Sequence, residues 1–115
     1  MWNIPTQERL SRMPGLYETE GITPQQKLIH LHFFIGGCDW YAVEFDGEDI
    51  FFGFVILNGD TRNAEWGYFS FSELKSLRLL GYYEVDCELE QYWEVKTANQ
   101  VNKICQAQGW VQTVQ

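Results

Sequence analysis

Residues 28–57 read LIHLHFFIGGCDWYAVEFDGEDIFFGFVIL, and this stretch decides the fold. Ile29, Leu31, Phe33 and Ile35 alternate with Leu28, His30, His32 and Phe34. A period of two sends successive side chains to opposite faces of a strand. Gly36-Gly37 follows, and glycine enters positive φ without a Cβ clash, so a tight hairpin turn is predicted. The next strand, residues 39–45, sends Tyr41, Val43 and Phe45 one way and Trp40, Ala42 and Glu44 the other. Asp46-Gly47 is a second hairpin signal. Residues 50–57 are apolar apart from Gly53, the pattern of an inner strand buried on both faces.

Working outward, Asn58-Gly59-Asp60 turns the chain into a short strand at 65–69. Upstream, residues 5–13 are predicted as a short helix, with Asn3 as its cap, Pro5 in its first turn and Pro14-Gly15 ending it. Thr23-Pro24 starts one further turn at most. Downstream, Ser70-Phe71-Ser72-Glu73 forms a capping box that opens a helix over 71–79, stopped by Gly81. Residues 82–87 and 92–95 are predicted extended, with an acidic connection between them. Thr97-Ala98-Asn99-Gln100 is a second box. It opens a helix to about residue 107 that turns Val101, Ile104 and Cys105 inward and ends at Gly109, and residues 110–115 dock or fray beyond it. The sum is one domain, residues 1–115. Its class is α+β: a mostly antiparallel sheet of four to five strands with two or three short helices on one face.

Composition bounds the function. The chain is 45% apolar and 17% aromatic, which excludes disorder and suffices for one core. Of the rings, Tyr41, Phe45, Phe52, Phe54, Phe69 and Phe71 are expected in that core, and Trp40, Trp66 and Trp93 nearer the surface. Sixteen acids against eight bases give a net charge of −8, which argues against direct nucleic-acid binding because affinity for phosphate comes from Lys and Arg. Stacking of single strands on exposed aromatics needs a basic groove as well, and Arg62, Lys75 and Arg78 are too few to make one. Cys38, Cys87 and Cys105 are odd in number and lack a Cys-x-x-Cys spacing, so reduced thiols in a cytoplasm are expected. The first residues lack the apolar stretch of a signal peptide. The longest apolar run has eight residues, against about twenty for a bilayer-spanning helix, so no membrane partner is expected.

Six short motifs occur in order: Leu16-Tyr17-Glu18-Thr19-Glu20, His32-Phe33-Phe34, Asp39 to Glu44, Phe51-Phe52-Gly53-Phe54-Val55, Glu65 to Leu74, and Glu84-Val85-Asp86 with Tyr92-Trp93. Together, over roughly residues 16–101, the chain resembles the domain of unknown function 2958 family, small bacterial proteins often encoded on plasmids, phages and integrative elements. The resemblance implies an accessory role in mobile DNA; the family has no established activity, cofactor or catalytic residue to carry over. The chain departs from the family pattern in a short segment between Phe34 and Trp40. It also has Glu84-Val85-Asp86 where the family carries a Glu-Arg-Asp-like motif.

Three kinds of chemistry are open to the residues. His30 and His32, two apart on a strand, share a face, and with Cys38 just past the turn they are a weak candidate for zinc that lacks a fourth ligand. Glu44 and Glu65 each lie near a tryptophan, Trp40 and Trp66. Two such carboxylates about 5–9 Å apart would make a small hydrolase. No nucleophile constellation or phosphate-binding glycine loop occurs, and no cofactor is implied. The third kind is a surface. Residues 36–60 carry six acids and no base, and residues 84–94 carry five and no base. Acidic loops often serve solubility alone. Set side by side, though, these blocks would attract a protein partner with a basic surface. A mobile-element protein so charged is suited to occupy the DNA-binding groove of a host nuclease or regulator. The expected interaction surface is Trp40, Glu44, Asp46 and Glu48 on the hairpin with Glu65 and Trp66. The enzyme is the alternative, through Glu44/Glu65 or His30/His32.

Overall fold

A computed structural model describes residues 3–112. The strands are β1 (Leu28–Ile29), β2 (Leu31–Ile35), β3 (Cys38–Phe45), β4 (Ile50–Ile56), β5 (Glu65–Ser70), β6 (Arg78–Leu79), β7 (Tyr83–Glu84), β8 (Asp86–Cys87) and β9 (Lys96–Thr97). The helices are α1 (Gln7–Ser11), α2 (Phe71–Ser76) and α3 (Asn102–Gln108), with 3-10 turns at Pro24–Gln26 and Ala98–Gln100. Five strands form one antiparallel sheet in the order β5-β4-β3-β2-β8, and β1-β9 and β6-β7 are separate pairs. The architecture is α+β, as the alternation and capping boxes predict.

Two irregularities reassign side chains to faces. The β3–β4 register shifts between Ala42 and Glu44. A bulge inserts one unpaired residue and reverses the alternation beyond it. Glu44 therefore shares a face with Tyr41, and Phe45 joins Trp40 and Ala42, the reverse of strict period two. Gly53 lies opposite this bulge, where a Cβ would sit 1.9 Å from the Tyr41 carbonyl oxygen, so only glycine fits. The second break is at His30. Ile29 packs with Tyr41, Phe54 and Ile56, whereas Leu31 and Phe33 pack with Phe51 on the other face. There the chain leaves the main sheet, and β1 pairs with β9.

The helices cover both faces, not one. Leu10 and Met13, at and just beyond α1, join Phe71 and Leu74 of α2 over the face that carries Phe33, Trp40, Phe45 and Phe51. Trp93, Ala98, Val101 and Ile104 cover the face that carries Tyr41, Val43, Phe54 and Ile56. The cause is legible in β4, whose two faces are both apolar and both need cover. Trp40 and Trp93 are consequently buried, against expectation. Tyr41, Phe45, Phe54 and Phe71 are buried as expected, and Phe52 and Phe69 are half-buried.

Helix ends differ in detail. Thr6 caps α1 by accepting from the Arg9 amide, and the Asn3 amide instead donates to Asp86 Oδ1 at 2.8 Å. Ser70 caps α2 as predicted, but the helix stops at Ser76. Arg78 and Leu79 pair with Glu84 and Tyr83 instead, around a Leu80-Gly81 turn with φ of 54° and 83°. Both bonds of the Thr97 capping box form, and Gly109 closes α3 at φ 72°. Residues 92–95 make no strand. Residues 113–115 of the predicted terminal stretch, and residues 1–2, lie outside the described residues.

Candidate functional site

The bulge that turns Glu44 onto the Tyr41 face also buries it, at 3% exposure. Its carboxylate accepts from the Tyr17 amide at 2.9 Å, the Thr19 amide at 3.0 Å and the Thr19 hydroxyl. Lys27, also buried, donates to the Thr19 carbonyl at 2.6 Å and to its hydroxyl at 3.0 Å. A buried charge needs donors of this kind to offset lost hydration. Glu44 thus fastens the loop at residues 15–22 to the sheet.

A second polar cluster sits further along the same face. His32 is stacked on Tyr41, with centroids 4.5 Å apart and planes at 5°. Its Nδ1 meets Glu88 Oε1 and its Nε2 meets Asp39 Oδ1, each at 2.7 Å. Each contact needs a proton between nitrogen and oxygen. Lys103 of α3 reaches the other Asp39 oxygen at 3.0 Å. Burial alone would raise the Asp39 carboxyl, but the hydrogen bonds from His32 and Lys103 outweigh it and hold it below its ordinary value. Burial, and then the charges of Asp39 and Glu88, push the Tyr41 phenol up.

The two sequence-level enzyme constellations do not assemble. Glu65 pairs with Val55, which pairs with Trp40, so it lies on the Phe51 face. Glu44 lies on the opposite face, and the sheet separates the two carboxylates. Cys38 shares the Phe51 face with Ile35, whereas His32 lies on the Tyr41 face. The thiol contacts Asn58, and His30 lines a different recess, of about 230 Å³, with Arg9, Arg12, Glu90, Trp93 and Val95. Burial holds the His30 imidazole below its usual range. Among the described residues no group of three or more His, Cys, Asp or Glu side chains is placed to hold a metal ion. Burial also pushes the Cys87 thiol up to about 11, away from thiolate chemistry.

The expected interaction surface is likewise divided. Trp40 and Glu44 are buried. Asp46 and Glu48 are exposed on the β3–β4 turn, where Asp46 Oδ1 accepts from the amides of Glu48, Asp49 and Ile50. Glu65 is exposed at the far end of β5, and Trp66 is half-buried on the other face, its Nε1 donating to Gln108 at 3.1 Å. The two acidic blocks meet at His32, through Asp39 and Glu88. Glu84 and Glu90 are paired with Arg78 and Arg12. Much of each block is therefore bound internally.

One open concavity lies beside β5. A recess of about 370 Å³ has Val55 and Leu57 as apolar walls and Asn58, Asn63, Asp60 and Glu65 as polar ones, with no basic side chain. Asn63, through its side chain and then its amide, holds the Asp60 carboxyl below its usual range. No family model, curated protein or solved structure matches the chain. Among the described residues no helix is long and apolar enough to cross a membrane.

The residues that sequence reasoning missed are buried Thr19, Lys27 and Asp39, with half-buried Glu88 and exposed Lys103 as partners of the His32–Asp39 pair. Their partners come from the bulge at Glu44, from the β2–β8 pairing that brings Glu88 to His32 and from the packing of α3 that brings Lys103 to Asp39, none of which a local pattern marks.

Proposed function

We propose that the chain is a protein-interaction module for a partner with a basic surface, in an accessory role consistent with its resemblance to the domain of unknown function 2958 family. The observation that carries this reading is the recess beside β5, lined by Asp60 and Glu65 together with Val55, Leu57 and Tyr68 and by no basic side chain. Such a site attracts Lys and Arg over a distance and excludes phosphate. Glu44, Asp39 and Glu88, by contrast, are engaged in holding the fold.

The test is binding of a panel of small basic proteins to the wild type and to Asp60→Lys/Glu65→Lys at low and high salt. Binding to the wild type is expected to weaken as salt rises and to be lost in the charge-reversed variant. Binding indifferent to both salt and charge reversal overturns the reading.

A further inference from the structure

The two edges of the main sheet are unequal. β8 contributes only two residues, and the Asn3 amide is bonded to its Asp86. β5 presents six, Glu65-Trp66-Gly67-Tyr68-Phe69-Ser70, without the Lys, Pro or bulge that commonly blunts an edge. The phase of the ladder follows from the Phe71 amide, which donates to the Asp49 carbonyl at 2.7 Å, one step beyond the Ile50–Ser70 pair. Bonded and non-bonded pairs alternate in an antiparallel ladder. Glu65, Gly67 and Phe69 therefore bond to β4, and Trp66 and Tyr68 turn their amides and carbonyls outward. Among the described residues nothing meets those groups.

We infer that β5 receives an extended peptide segment as a sixth strand of the sheet, and that this segment alternates cationic with apolar residues. The inference rests on the basic-partner reading and specifies how the partner binds. Strand addition gives affinity through main-chain bonds and specificity through alternate side chains. On the Phe51 face the incoming side chains pass over Glu65 and Gly67, into the recess that Asp60 also lines. A Cβ at Gly67 would meet nothing within 4 Å, so that space is open. Lys or Arg belongs there, opposite the carboxylates. On the other face the incoming residues meet half-buried Trp66 and exposed Tyr68, where apolar side chains belong.

The experiment uses the whole chain and two synthetic peptides of alternating Lys and Val. One is unmodified, and the other is N-methylated on the amides that would face β5. The unmodified peptide is expected to bind about tenfold more tightly, because methylation removes ladder bonds without altering charge. It is also expected to slow hydrogen exchange at the Trp66 and Tyr68 amides. Equal binding of the two peptides, with exchange at those amides unchanged, overturns strand addition and leaves the basic-partner reading standing. Binding of neither peptide at low salt, where charge attraction is strongest, overturns both.

Discussion

Around Phe51, on one face of the sheet, lie the rings of Phe45, Phe69, Phe33 and Phe71, with centroids 4.5 to 5.5 Å away. Around Tyr41, on the other, aromatic packing is interrupted by His32 and, along the same face, by buried Asp39 and Glu44. An apolar face is stabilised in proportion to the area it removes from water and accepts many packings of similar volume. A buried polar face is satisfied in few arrangements, since each group left without its partner costs free energy. The contrast assigns stability to the Phe51 face, and to the Tyr41 face the fixing of register, loop 15–22 and helix α3. Breaking each face in turn tests the assignment.

The largest expected effect is on the hydrocarbon side. Phe51→Ala leaves a cavity among four rings and is expected to cost about 4 kcal/mol. Denaturant unfolding measures it, and the loss should be global, with all amides exchanging faster together. A cost under about 1 kcal/mol would show that the ring cluster is not the main source of stability.

Next comes the polar side. Glu44→Ala leaves the Tyr17 and Thr19 amides and the Thr19 hydroxyl without their acceptor, at an expected cost of about 3 kcal/mol. The signature should differ from that of Phe51→Ala. Exchange at the Tyr17 and Thr19 amides is expected to rise by more than the global loss explains, because the loop is released before the sheet. If exchange there tracks the global loss, Glu44 is packing rather than fastening, and the contrast between the faces fails.

The two faces were also unequally legible in the sequence. The hairpins, the inner strand β4, the Ser70 and Thr97 caps and the Gly109 stop follow from local rules that need no knowledge of the fold. The Phe51 face follows in part: Phe45, reassigned by the bulge, is there through a one-residue slip that alternation cannot reveal. Gly53 was the available hint, a glycine in an otherwise apolar strand, where close backbone approach or a bulge is the usual cause. The polar network was not legible, because Asp39 meets Lys103 across 64 positions and His32 meets Glu88 across 56. Of the candidate site Asp46, Glu48 and Glu65 survive as open surface, at opposite ends of the sheet, and the Asp60 loop beside Glu65 was not among the residues expected there. Trp40 was misplaced because α1 and α2 cover its face of the sheet, and Glu44 because the bulge turns it to the other face, under the loop at residues 15–22.

The smallest effect sharpens the comparison through pH. Asp39 is held below its ordinary carboxyl value in the folded protein, against its burial, by His32 and Lys103. The unfolded chain therefore binds more protons than the folded one around the unfolded value of about 3.9. The stability this group contributes is fully present above that value and is lost as pH falls through the lower folded one. Asp39→Asn removes the contribution and is expected to cost about 2 kcal/mol at neutral pH, by the loss of charged hydrogen bonds. The gap between wild type and variant should then narrow as the solution is acidified below about pH 4. Phe51→Ala involves no titrating group, so its cost should stay constant across the same range. If both gaps narrow alike, Asp39 is not the titrating group, and the Tyr41 face is no more sensitive to protons than the face of phenylalanines behind it.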